Sequence, residues 1–246
     1  MSSDDHRPGR KPAVGLLYPG FGAEDDFPAL ERRLDGAVRL PLVHTSVGED
    51  LHEVGALLDL GGPARLADGA RTLLLERPDS MMWACTSGSF VFGWDGARRQ
   101  VDQLADLVGL PVSSTSIAFV DAVRHLGVTS VAVAASYPVA VADHFASFLA
   151  RGGITVSWMG SQDISTAAEV GRLTPESVLA LVEAADRSGS GAVLIPDTAM
   201  HTLDQLDELD NAAGQPVLTA NQVTIWQGLR LLGQMPCLAG MGALFR

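Results

Sequence analysis

The feature that most restricts the fold of this chain is an alternation: short apolar runs rich in Val, Leu and Ala, each followed by a longer amphipathic stretch. Parallel strands buried on both faces read as continuous apolar runs, and the helical crossovers between them read as amphipathic stretches. The pattern therefore predicts an α/β protein. Eight strands are expected, at Ala13 to Leu17, Val38 to Val43, Ser80 to Ala84, Pro111 to Ser114, Ser130 to Ala135, Thr155 to Trp158, Ala192 to Ile195 and Pro216 to Thr219. Between them the spacing predicts helices over Glu24 to Leu34, Pro63 to Glu76, Gly96 to Val108, Ser116 to Leu126, Ala140 to Ala150, Pro175 to Arg187, Thr202 to Ala212 and Gln222 to Leu232. Thr174-Pro175-Glu176 marks a helix start, with a capping hydroxyl followed by proline where no N–H is required.

Strand ends in the first half have counterparts in the second. Tyr18-Pro19 corresponds to Tyr137-Pro138 at an offset of 119 residues, and Cys85-Thr86 to Asp197-Thr198 at an offset of 112. Leu110-Pro111-Val112 likewise corresponds to Gln215-Pro216-Val217, each leading into a helix that ends in Leu-Gly. Four strands and their helices thus occur twice. Two lobes related by a pseudo-twofold place equivalent strand ends face to face, and open parallel sheets bind ligands at those ends. The expected division is 1–115 with 222–246 for one lobe and 116–221 for the other, with the active site in the cleft between them.

Composition narrows the partners. The chain is 47% hydrophobic and carries a net charge of −12, so no basic stripe is left to neutralise nucleic acid or an anionic membrane. Its two cysteines, Cys85 and Cys237, make no disulfide framework or zinc pattern, and a reducing, cytoplasmic setting is expected. Met1 to Lys11 reads as a frayed tail with no signal peptide or membrane span behind it. The six histidines show no metal-ligand spacing, and neither a phosphate-binding glycine loop nor a dinucleotide fingerprint is present.

Chemistry concentrates at the mirrored strand ends. Cys85 closes the run Met81-Met82-Trp83-Ala84 and opens the turn Thr86-Ser87-Gly88-Ser89, above an expected helix start whose N–H groups and dipole lower a thiol pKa. The same N–H groups and the Thr86 and Ser87 hydroxyls suit a substrate carboxylate. A buried structural cysteine is the competing reading. Asp197 leaves a strand and is expected to enter a helix through Thr198 to Thr202, where it serves as catalyst, as N-cap, or as both. Tyr18 and Tyr137, the only tyrosines, point to the same cleft. Asn221 offers hydrogen bonds to substrate or caps the last helix. His201 is read as a helix-face residue rather than a base.

Three segments carry a resemblance: Cys85-Thr86-Ser87-Gly88, Tyr137-Pro138, and the run Gln215-Pro216-Val217-Leu218-Thr219-Ala220-Asn221-Gln222. From about Val14 to Leu244 the chain resembles the maleate cis-trans isomerase and arylmalonate decarboxylase branch of the Asp/Glu racemase superfamily. The resemblance implies two flavodoxin-like lobes with parallel four-stranded sheets. It also implies no cofactor, no metal, and one reactive residue per lobe on opposite sides of a small carboxylate. By it Cys85 matches the family's first cysteine, which in maleate isomerases attacks the double bond, and Thr86, Ser87 and Tyr137 match positions that hold substrate oxygens. Asp197 stands where these relatives carry a second cysteine, and Gly20-Phe21-Gly22 where many maleate isomerases have an asparagine. A group of relatives labelled ectoine utilisation shows a similar pattern.

The function expected is a cofactor-independent isomerase or racemase of a small (di)carboxylic or amino acid. Cys85 and Asp197 are its catalytic pair, and Tyr18, Thr86, Ser87, Tyr137, Thr198 and Asn221 bind its substrate. Its alternatives are a decarboxylase of a malonate-type acid and a non-catalytic carboxylate-binding protein. A homodimer is expected because related enzymes commonly associate.

Overall fold

A computed structural model describes residues 11–20, 22–234 and 236–246. The expected frayed tail lies outside them except for Lys11, whose Nζ donates to the Asp35 carbonyl at 2.9 Å. Phe21 of the Gly20-Phe21-Gly22 segment also lies outside the described residues.

All eight predicted strands form. The first sheet contains β1 (Val14–Tyr18), β2 (Leu42–His44), β3 (Ser80–Trp83) and β4 (Val112–Ser114) in the order β2-β1-β3-β4. The second contains β5 (Ser130–Ala135), β6 (Thr155–Ser161), β7 (Ala192–Ile195) and β8 (Val217–Thr219) in the order β6-β5-β7-β8. Every pairing is parallel, and the second order repeats the first one sheet later. Each order follows the start of the flavodoxin-like 2-1-3-4-5 arrangement.

The helices are α1 (Asp26–Arg33), α2 (Val54–Leu60), α3 (Pro63–Leu73), α4 (Ser87–Phe90), α5 (Gly93–Val108), α6 (Thr115–His125), α7 (Val139–Arg151), α8 (Ala167–Val170), α9 (Pro175–Ala184), α10 (Leu206–Ala213) and α11 (Ala220–Leu231). Three of these, α2, α4 and α8, escaped the sequence reading because one or two turns give too few apolar repeats to register. At α9 the Thr174 hydroxyl accepts from the Ser177 N–H at 3.3 Å, with Pro175 in the first turn, as its sequence predicts.

Three boundaries differ for identifiable reasons. Strand β2 is confined to three residues, and Arg39 joins Ala13 only through an isolated bridge, because Pro41 has no N–H to offer the ladder. Strand β6 runs on through Gly160, which lies under the Trp158 ring: a Cβ there would stand 2.4 Å from Trp158 Cη2. Helix α10 begins at Leu206 instead of Thr202, because the preceding segment is held elsewhere. The Thr202 and Leu203 N–H groups donate to Asp26 Oδ2 at 3.0 and 3.2 Å, and the Thr202 hydroxyl donates to Thr219.

Helix α11 ties the halves together. A capping box of Thr219 and Gln222 starts it, so Thr219, not Asn221, is its cap. It packs against α6 and on β1, β3 and β4, and its near side is smoothed by Gly228, where a Cβ would meet Val14 Cγ1 at 2.2 Å. The Ser80 hydroxyl donates to the Gly228 carbonyl at 2.9 Å across this contact. Helices α6 and α11, which follow equivalent strands, also share a buried Thr115–Thr224 hydroxyl pair at 2.6 Å. One cluster of buried apolar side chains, including Val14, Leu16, Val131, Val133 and Trp226, runs through both sheets. Among the described residues no helix is long and apolar enough to cross a membrane.

Candidate active site

Strand β3 delivers Cys85 to its carboxyl end, where only 3% of the residue is exposed. The Gly88 N–H donates to Cys85 Sγ at 3.3 Å and the Ser87 Oγ lies 3.8 Å away. Gly88 allows this approach because a Cβ there would press within 3.1 Å of both Sγ and the Trp83 ring. The Gly88 carbonyl is held in turn by Trp83 Nε1 at 3.3 Å and Gln100 Nε2 at 3.1 Å. The turn that carries the thiol is therefore rigid.

The expected lowering of the thiol pKa is reversed. Burial pushes Cys85 up to about 12, outweighing the hydrogen bonds from Gly88 and Ser87, and the charge of Asp197 adds to the rise. The one-turn helix α4 supplies little dipole to oppose that desolvation.

Strand β7 places Asp197 at the mirrored position, 4% exposed. It enters a turn instead of a helix: Oδ1 accepts the Ala199 N–H at 3.0 Å, and Oδ2 accepts the Ser136 hydroxyl. The two tyrosines bracket it. Tyr18 donates its phenol proton to the Thr198 carbonyl at 2.9 Å and accepts the Ala23 N–H at 2.9 Å, while Tyr137 donates to the Pro196 carbonyl. Burial raises both phenols well above their ordinary range, reinforced by nearby negative groups that include Asp197.

Cys85, Ser87, Tyr18, Asp197 and Thr198 line one cavity of about 70 Å³. Three other expected substrate contacts do not. The Thr86 side chain is fully buried beside the cavity, with its hydroxyl unpartnered. Tyr137 stands behind the wall, against Phe90 and His52, in reach of the Thr86 and Ser87 hydroxyls. Asn221, in the first turn of α11, directs its amide to the Met200 carbonyl at 3.4 Å and to Asp26. His201 lies in no helix and pairs with Asp25 at 2.8 Å.

The remaining wall was not foreseen. The segment between β2 and α2 supplies Val47, Glu49, Asp50, Leu51 and His52 to the lining, joined by Leu57 and Leu60 of α2. It is pinned to the other half of the chain. The His52 N–H donates to the Ser165 carbonyl at 2.7 Å and its Nδ1 meets the Ile164 carbonyl at 2.8 Å. Asp50 accepts the Ala167 and Ala168 N–H groups at 2.9 and 3.1 Å. The signal available in sequence was positional only: this loop follows the carboxyl end of a parallel strand, where ligands bind. Among the described residues, no three His, Cys, Asp or Glu side chains converge as metal ligands.

Two repeated parallel sheets, with Cys85 and Asp197 at equivalent strand ends, place the chain in the maleate isomerase-like branch of the Asp/Glu racemase superfamily, from which Asp197 is a departure. The chain belongs to the arylmalonate decarboxylase family, whose model matches residues 63–245. It is 30% identical to the maleate isomerase of Alcaligenes faecalis over 164 residues, an alignment spanning 64% of each protein. It is 26% identical to the arylmalonate decarboxylase of Bordetella bronchiseptica over 240 residues, or 95% of this chain and 96% of that one. The fold matches that of a Nocardia farcinica maleate cis-trans isomerase mutant with a covalently bound succinylcysteine intermediate. The TM-score is 0.87 at 23% identity, covering 96% of this chain and 99% of the other.

Proposed function

We propose that this chain is a cofactor-independent isomerase or racemase of a small carboxylic or amino acid, with Cys85 and Asp197 acting from opposite sides of the substrate. The observation that carries this reading is that both reactive groups, delivered by equivalent strand ends, line one cavity. A thiol pushed up to about 12 keeps its proton at neutral pH and serves best as a donor. The Asp197 carboxylate takes the proton from the carbon next to the substrate carboxyl group, and the electron pair passes to the carboxyl oxygens. The Ser87 hydroxyl is placed to steady that enolate-like charge. Cys85 S–H then returns a proton to the opposite face, leaving a thiolate that is reset when the two groups exchange their protons through water. Attack of sulfur on a double bond requires one further step, prior transfer of the thiol proton to a base such as Asp197.

A second reading, decarboxylation of a malonate-type acid, is favoured by the same protonated thiol. Loss of carbon dioxide generates the enolate-like charge directly, and Cys85 supplies the one proton required.

Proton NMR in deuterated water over a panel of small acids separates the outcomes: deuterium at the α-carbon, a new olefin geometry, or loss of a carboxyl group. Cys85→Ala is expected to abolish turnover on whichever acid reacts, and Asp197→Asn to abolish exchange while sparing decarboxylation. A Cys85→Ala variant with undiminished turnover overturns both readings.

A further inference from the structure

The charges around the cavity select among carboxylic acids. Three acidic side chains, Glu49, Asp50 and Asp197, line it, and among the described residues no lysine or arginine does. The whole chain adds a net −12, so the field at the mouth opposes a dianion.

The donor supply points the same way. Most donors near the cavity are already committed: Tyr18 to the Thr198 carbonyl, Tyr137 to the Pro196 carbonyl, Gly88 N–H to Sγ, and Ala199 N–H to Asp197. On the wall itself the Ser87 hydroxyl, whose contact with Sγ is a long 3.8 Å, and the Thr198 hydroxyl remain, a set suited to one carboxylate. Acceptors, by contrast, are in surplus. Glu49 makes no hydrogen bond or ion pair among the described residues. The Ile164 carbonyl can only accept, so His52 Nδ1 carries the proton that meets it and this nitrogen is committed as well.

We infer that this site takes a monocarboxylate end together with an ammonium group, an amino acid in preference to the plain dicarboxylate of the same carbon skeleton. The carboxylate lies toward Ser87 and Thr198, and the ammonium toward Glu49. This rests on reading the Cys85–Asp197 cavity as the substrate site, and it departs from the amino-free acid in the name of the maleate isomerase relatives.

The test compares ligands that differ only in the ammonium group, aspartate against succinate and alanine against propionate, by calorimetric titration of the wild type at pH 7 and constant ionic strength. Protection of Cys85 from alkylation locates the ligand. The amino-bearing member is expected to bind about ten-fold or more tightly, to protect Cys85, and to lose most of that advantage in Glu49→Gln. A ratio at or below one overturns the proposal, as does a wild type that binds none of the amino-bearing acids. Failure of the underlying functional reading is distinct. It shows as undiminished turnover in Cys85→Ala, or as tight amino acid binding that leaves Cys85 unprotected, whereas the preference itself is read from binding without turnover.

Discussion

Tyr18 and Tyr137 grip the same turn from opposite halves of the chain, one phenol on the Thr198 carbonyl and the other on the Pro196 carbonyl, with Asp197 between them. The backbone on either side of Asp197 is thus held by the two phenols, while Ser136 and the Ala199 N–H hold its carboxylate. Tyr137→Phe should cost about 1 kcal/mol of stability, the net worth of one hydrogen bond. It should cost turnover more severely, about ten-fold, because a misplaced proton acceptor is penalised in the transition state. Thermal unfolding alongside deuterium exchange at the substrate α-carbon checks both; equal, small losses in each would assign the tyrosine to packing alone.

The raised thiol has a consequence in alkylation kinetics. In a Cys237→Ser background, Cys85 should react with iodoacetamide more slowly near neutral pH than an ordinary thiol, with a rate that climbs toward about 12. Removing the charge of Asp197 takes away one cause of the elevation, so Asp197→Asn should move the profile to lower pH.

Linkage fixes the sign of a stability effect. The folded-state value for Cys85 lies above its ordinary 9.0, so the stabilisation is complete below that pH and is lost as pH rises through about 12. Tyr18 and Tyr137 are shifted in the same direction and steepen the loss at high pH. Chemical denaturation from neutral to strongly alkaline pH should show stability falling faster in the wild type than in Cys85→Ala.

The strap along the cavity wall should be separable from the chemistry. Asp50→Ala removes the acceptor for two exposed α8 N–H groups, which water then satisfies, at a cost of about 1 kcal/mol. The same change should speed alkylation of Cys85 several-fold at fixed pH by opening the mouth. An unchanged alkylation rate would show that the thiol is reached by another route.

Gly228 offers a purely structural check. Gly228→Val forces a branched side chain onto Val14 and spreads α11 from β1, and should destabilise the protein by about 3 kcal/mol or more, beyond ordinary overpacking. Gly109→Ala, at a surface helix end, should cost about 1 kcal/mol through its positive φ alone. Denaturant titration of the pair ranks them.

What could be read from the sequence depended on how local the governing physics was. Strands emerged because buried parallel strands are apolar throughout, and the mirrored placement of Cys85 and Asp197 followed from matching strand ends. The strap of residues 47–52 has no periodicity and is shaped by contacts with residues more than a hundred positions away, so nothing in it stood out. The thiol was misjudged because its sequence environment displays the polar turn but hides the desolvation that outweighs it. Asn221 was misassigned because the last helix starts two residues early, at Ala220, which turns the amide toward Met200. The delayed start of α10 depends on Asp26, which lies 176 positions from the N–H it captures at Thr202.

Helix α11 follows β1 and β3 by more than a hundred residues yet covers both, so the first sheet lacks part of its cover until Ala220–Leu231 has been made. A nascent first half leaving the ribosome would show Val14 and its neighbours to solvent for the whole time the second half is being made. Early truncation products should for that reason be clients of chaperones and proteases, and severed halves should become soluble chiefly when mixed, each supplying the surface the other was built to meet.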